Sequence, residues 1–350
     1  MQNDEGNKFI SNGFLALIPH YRRISFSASN YVFRHNYVRQ GMAFMIGIGT
    51  PIDTMNLKNI LTIDSGTIAQ MHSFQLFGEL NAQNITYQDI PDTDAALYIN
   101  MIAKVSLKDI SFINFTSNPQ KPFSPLTISN TPASVVIIDT LRVENCTLHT
   151  LSLVKLISNP LSFEVKNAVY DNIVMDNHIS LIELADISVV KISNHRVNNI
   201  SLLSNAEASN VLIDFKQLTL IDTSIILIED IAIFSSEISF MTMGNLQNST
   251  NMAKDFSVNN LSMKNAYLES SIALISTQGF DSSGEINVKF HNLTVSGIEF
   301  RTTGELIDFK HHLQNPVEIS NSTFENITSG SISLKVHVND KLTSKALFTN

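Results

Sequence analysis

The chain has 350 residues, 43% of them hydrophobic and 16% charged, with a formal net charge of -9, no Trp and a single Cys. So much apolar residue excludes a disordered chain, and one Cys excludes both a disulfide framework and a Cys-based zinc or iron–sulfur site. The excess of Asp+Glu (32) over Lys+Arg (23) leaves no basic stripe for a nucleic acid.

The N-terminal section, residues 1–54, is read as an irregular cap or a set of degenerate coils. Asp4 and Glu5 stand where a signal peptide carries basic residues, and the run Phe14 to Ile18 is too short for its apolar region. Further on, the most apolar long stretch, Leu218 to Phe240, is broken by Asp222, Glu229, Asp230 and Glu237, so no segment reads as membrane-inserting. Gly47 and Gly49 lie in an apolar run without the third Gly and following helix of a dinucleotide site.

Residues 55–350 read as one continuous repeat domain. The template is Val105 to Phe115: apolar at the first, third, sixth, eighth and eleventh places, Asn or Asp at the fifth and tenth. The pattern recurs at Leu80–Ile90, Val136–Cys146, Phe163–Ile173, Val190–Ile200, Ile213–Thr223, Phe256–Ala266, Val288–Ile298 and Val317–Ile327, with weaker versions near Phe26–Asn36 and Leu57–Asp64. Between copies lies another short apolar segment, such as Ala96–Ile99, Ser180–Leu184 or Ser224–Ile228. Alternation that changes phase at a polar residue predicts strand, bend, strand, and stacked coils bury what one coil cannot.

Asn is about a tenth of the chain, in step with a need for residues that tolerate left-handed bends. The tenth-place column, Asp89, Asn114, Asn145, Asn172, Asn199, Asp222, Asn265, Gly297 and Asn326, reads as a ladder of turn residues, with Gly where a positive φ is easiest.

These units resemble the right-handed parallel β-helix of the pectin-lyase-like superfamily, over Leu80 to Val336 at least, and the Asn-rich β-helical ectodomains of large protist surface proteins. The resemblance implies an all-β solenoid of about a dozen coils, three short strands in each. A leucine-rich repeat is the nearest rival, but it places its Asn three residues after the last strand leucine, not two.

Enzymes of that superfamily work with carboxylates clustered on one outer face. The polygalacturonase motifs Asn-Thr-Asp, Asp-Asp, Gly-His-Gly and Arg-Ile-Lys are absent, and no catalytic, cofactor-binding or metal-binding residue is assigned. On the strand preceding each copy, the outward residues Tyr98, Thr127, Glu183 and Asp308 are where chemistry would lie, with Glu183 and Asp308 several coils apart. Glu164, Lys191 and Asp214 share the second place and Lys108, Asp139 and Lys166 the fourth, which predicts cross-strand charge pairs on a solvated face.

Asp92 and Asp94 read as a polar loop, His311 and His312 as strand neighbours that cannot converge on one metal, His195 as a packed histidine and Cys146 as a buried thiol. Tyr98 and Tyr267 are the outward aromatics that a carbohydrate-binding groove would use. Nine Asn-x-Ser/Thr sequons occur, at Asn84, Asn114, Asn145, Asn199, Asn248, Asn260, Asn292, Asn321 and Asn326. All but Asn248 occupy bend positions, so Asn248, in the loop Gly244 to Lys254, is the glycosylation candidate.

The expected function is a non-enzymatic structural or adhesive module of a larger cell-surface or secreted protein, with no cofactor and a carbohydrate or protein partner. The alternative is a divergent polysaccharide lyase or hydrolase, or a carbohydrate-binding β-helix.

Overall fold

The computed structural model describes backbone strands from Gln2–Glu5 to Ala346–Thr349. It describes side chains over residues 25–35, 54–65, 78–117, 124–129, 134–149, 152–157, 162–203, 210–216, 224–244, 255–268, 274–275, 287–300, 306–307 and 318–328, with 92, 94, 101, 177–178, 186 and 188 excepted. All of its elements are strands. They form a 16-stranded sheet, a 12-stranded sheet and a small 3-stranded sheet.

Within each sheet the pairing is parallel and runs from one coil to the next, as in Leu80 opposite Val105, Val105 opposite Val136 and Val136 opposite Phe163. A strand of the second sheet lies in sequence between each such pair, for example Ala95–Asn100 between Glu79–Gln88 and Lys104–Ile113. The chain is therefore a parallel β-solenoid. The N-terminal strands Gln2–Glu5 and Ile24–Arg34 belong to the same large sheet and pair in the same sense.

The strand Ser162–Met175 shows how a coil is made. Phe163 and Val165 are buried, Lys166 and Asn167 exposed, Ala168 and Tyr170 buried, Asn172 exposed, and Ile173 and Met175 buried. Each break in alternation falls on a residue with positive φ, Asn167 and Asn172, so the strand bends twice and keeps its apolar side chains inward. The central coils thus carry a straight run beyond the tenth place, in addition to the two in the motif and the one in the second sheet.

Positive φ recurs with this period along the rod, between 43° and 67°, in a fifth-place column from Asn30 to Asn321 and a tenth-place column from His35 to Asn326. Apart from His35, Thr140, Ser235 and Gly297, every residue in the two columns is Asn or Asp, whose short side chains tolerate this conformation.

The carbonyl just before a bend accepts the backbone N–H of the bend residue one coil earlier, as Ile63 does from His35, Glu144 from Asn114 and Ser320 from Asn292. Where the residue after the bend carries a small polar side chain, that side chain also donates to the carbonyl before the bend: Ser65 to Ile63, Ser236 to Phe234, Ser322 to Ser320, and the Cys146 thiol to Glu144.

The core is the set of inward columns. Tyr87 stacks on Phe112 one coil above, with ring centroids 5.3 Å apart and planes 9° from parallel. One predicted copy is displaced. Val211–Leu220, which contains Ile213, belongs to the second sheet, and the coil of the large sheet at this level is Ile225–Phe234, with Val190 opposite Ile226 and Val197 opposite Ile233. Ile233 therefore fills the eighth-place column where the sequence reading had set Leu220.

Candidate functional site: two exposed ladders and a covered row

The ladder residues Asp89, Asn114, Asn145, Asn172, Asn199, Asn265 and Asn326 all have positive φ. Asn114 donates to Asp89 (2.7 Å) and Asn172 to Asn145 (3.2 Å). Asp222 is a correction: it lies outside the described residues, and Ser235, opposite Asn199 by strand register and with φ 46°, holds the tenth place at that level.

The fifth-place column forms a second ladder that the sequence reading did not single out. Asn59 donates to Asn30, Asn84 to Asn59, Asn194 to Asn167, Asn260 to Asp230 and Asn292 to Asn260, at 2.6–3.0 Å. In every rung the amide of the later coil donates to the oxygen of the earlier one. The ladder Asn residues that carry sequons are exposed, and Asn84, Asn114, Asn199, Asn260 and Asn292 among them donate along the surface to the preceding coil. The sequons follow from the coil itself: a bend Asn, then an inward residue, then an outward hydroxyl. Asn248 ends the strand Ser239–Asn248 rather than sitting in a loop, and its side chain lies outside the described residues.

On the second sheet the outer face carries one continuous row, Tyr98, Thr127, Lys155, Glu183, Asp214 and Thr242, at successive register positions that the backbone continues through Ser276 and Asp308. Their neighbours Ile182, Leu184, Ile213 and Phe215 point into the core, and alternation puts the polar residues on the opposite face.

This face is not solvated as an outer face ordinarily is. Thr127 is 1% exposed and Glu183 6%. Lys155 Nζ lies 3.0 Å from Glu183 Oε1, the Thr242 hydroxyl donates to Asp214 Oδ1 (2.7 Å), and Lys216 Nζ pairs with Asp214 Oδ2.

A β-bulge shapes the row at Asp214. The register between Ser180–Ala185 and Val211–Leu220 shifts so that Leu184 faces Phe215 but Ala185 faces Gln217, which leaves Lys216 as the extra residue. On the next coil Gly244 lies beside it, where a Cβ would come 2.4 Å from the Lys216 carbonyl oxygen. Gly is thus required by close backbone approach, while the Lys216 ammonium reaches back to Asp214.

Glu183 and Asp214 stand on adjacent coils, with strands about 4.8 Å apart. Two neighbouring carboxylates are what acid–base hydrolysis of a glycoside uses. Here each is matched by its own ammonium group, so the four charges cancel. The sequence reading had placed Asp214 in the large sheet with Glu164 and Lys191, and strand register moves it beside Glu183.

The other predicted residues stay apart from this row. Lys166 pairs with Glu164 along its own strand (2.9 Å), and strand register sets Lys108, Asp139 and Lys166 side by side as predicted, with Asp139 also attracting Lys166. Tyr267 lies opposite Glu299 in the large sheet, so it does not share a face with Tyr98. Cys146 is buried, and burial pushes its thiol up to about 11. His195 packs inward between Ala168 and Ile231. Asp92, Asp94, His311 and His312 lie outside the described residues, as does the Asp308 side chain. Among the described residues no group of three or more His, Cys, Asp or Glu is placed to hold a metal ion.

Comparison of the chain with family models, with curated proteins and with solved structures found no match.

Proposed function

We propose that this chain is a non-enzymatic structural or adhesive β-helix module of a larger cell-surface or secreted protein, built on the plan of the pectin-lyase-like superfamily and similar to the Asn-rich ectodomains of protist surface proteins. What supports this reading is the charge closure of the covered row: Glu183 is held by Lys155, and Asp214 by Lys216 and Thr242. A working acid–base pair needs one carboxyl free to give up a proton and another free to take it. A rod that presents amide ladders at a cell surface suits a carbohydrate or protein partner.

The test is incubation of the purified protein with polyuronides and neutral glycans, with and without Ca²⁺, reading chain cleavage and retention on the polymer. The proposal expects no cleavage. Retention alone selects a carbohydrate partner, and neither outcome points to a protein partner.

A divergent polysaccharide hydrolase or lyase is the second reading, favoured by the adjacency of Glu183 and Asp214. It expects cleavage that disappears in Glu183→Gln and in Asp214→Asn, a result that would overturn the first reading.

A further inference from the structure

The sixth-place column inside the rod runs Ile110, Leu141, Ala168, His195, Ile231, each opposite the next in strand register. Four of these are aliphatic and one is an imidazole. His195 is 1% exposed, and neither ring nitrogen has a hydrogen-bond partner. Tyr170, one coil earlier, is fully buried with its hydroxyl equally unpartnered, and its ring centroid lies 5.8 Å from that of His195. Ala168 beneath His195 is the smallest residue of this stretch of column, where Leu141 stands one coil further down. A buried polar group without a partner keeps its full desolvation cost, so this level is the least satisfied part of an otherwise apolar interior.

We infer that the level of Ala168, His195 and Ile231 is an acid-labile joint: uncharged His195 packs in the core at neutral pH, and proton uptake in mild acid opens the rod there first.

Among the described residues no counter-charge faces the imidazole. The preceding strand presents Val165, Ala168 and Tyr170 inward, its own strand Ile192 and Val197, and the following strand Ile228, Ile231 and Ile233. The second sheet presents Ile182, Leu184, Ile213, Phe215, Met241 and Met243, while Lys155, Glu183 and Asp214 lie on its outer face. Tyr170 is the one titratable neighbour among the described residues, and burial pushes its phenol further up, so it stays neutral.

Burial pushes His195 down to about 3, opposed in part by the Val165 backbone, which closes no aligned hydrogen bond with it. Free histidine titrates near 6.5. Above that pH both folded and unfolded chains are neutral at this residue and it exacts no penalty. Between about 6.5 and 3 the unfolded or opened chain binds a proton that the folded one refuses, so stability falls with pH. The opening equilibrium constant at this level rises up to about tenfold per pH unit in that window. In a solenoid each coil leans only on its neighbours, so opening at one level need not unfold the rest.

The experiment is amide hydrogen exchange on the intact chain at pH 7.5 and pH 5.0, corrected for intrinsic exchange, on wild type, His195→Leu and Tyr170→Phe. The expected result is roughly 30-fold loss of protection at pH 5.0 in strands Ser162–Met175, Val189–Leu202 and Ile225–Phe234, with little change around Val105–Ile113. His195→Leu abolishes that difference, while Tyr170→Phe raises protection equally at both pH values. An even loss along the rod in wild type overturns the inference whether or not the variants fold. The same is true of an unchanged pH response in His195→Leu.

Discussion

The bent walls of the large sheet and the outer row of the second sheet meet the same problem, polar groups on the strands of a stacked rod, in opposite ways. On the bent walls most coils place a short Asn or Asp side chain at the same left-handed positions, and hydrogen bonds from Asn amides to exposed oxygens run up the surface. On the second sheet the inner face is buried and the outer row is covered at Thr127, Glu183 and Asp214, and polarity is met by opposite charges, a bulge and a buried hydroxyl pair, Ser124 and Ser152, 2.6 Å apart. Exposed repetition needs one residue type, because water fills any vacancy in the ladder. A covered row needs specific partners, because a missing one leaves a charge without water.

The largest expected effect breaks the covered row. Lys155→Met leaves the Glu183 carboxylate buried and unpaired and should cost about 3 kcal/mol in urea unfolding, while Lys155→Met with Glu183→Leu should recover most of it. If the single variant is as stable as wild type, the row is better hydrated than its burial implies.

Next comes Gly244→Val, where the new side chain meets the Lys216 carbonyl. A loss of about 2 kcal/mol is expected, since backbone rather than a flexible side chain must give way. On the ladders the effects are smaller. Asn172→Ala removes a donor, an acceptor and a residue type suited to positive φ, for about 1–2 kcal/mol, and Asn172→Gly should restore the backbone share of that. Smallest of all is Lys289→Ala, which loses the exposed pair with Asp255 (3.1 Å) and should move the midpoint by only a few tenths of a kcal/mol.

The same pair sets a pH test. Asp255 is held below the usual carboxylate range, first by the Asn287 amide and then by Lys289. Its folded-state pKa is depressed, so the contribution is present above the unfolded value and lost as pH falls through the folded one. Asn287→Ala should therefore blunt the loss of stability below about pH 4 and leave neutral pH almost unchanged.

Much of this architecture was legible because the coil writes two signals at once, apolar alternation and Asn or Asp at the phase breaks. Tyr87, Phe112, Val143 and Tyr170 could be assigned to one inward column from spacing alone, and strand register places them so. The reading failed where one signal was missing. Ile225–Phe234 has Asp230 at its fifth place but Ser235 at its tenth, a residue seldom chosen for positive φ, so the neighbouring stretch with Asp222 drew the alignment instead. That slip also hid the covered row, since Asp214 falls opposite Glu183 only when Val211–Leu220 is given to the second sheet. Nothing in the spacing says that an outer face will be buried, because alternation reports which side a residue takes and not what lies above it.

The one-way donation along the ladders makes the rungs unequal in the face of chemical ageing. Spontaneous deamidation turns Asn into a carboxylate that accepts but no longer donates. Asn145 receives from Asn172 and donates to no described residue, so conversion there keeps the rung and strengthens it with charge. Asn172 must donate downward and accept from Asn199, so the same conversion cuts its lower rung and sets two oxygens against each other. Asp89 and Asp230, each accepting from the Asn one coil above, already stand where an acid does no harm. The position of a lost amide along the rod, rather than the number lost, would decide how the protein wears.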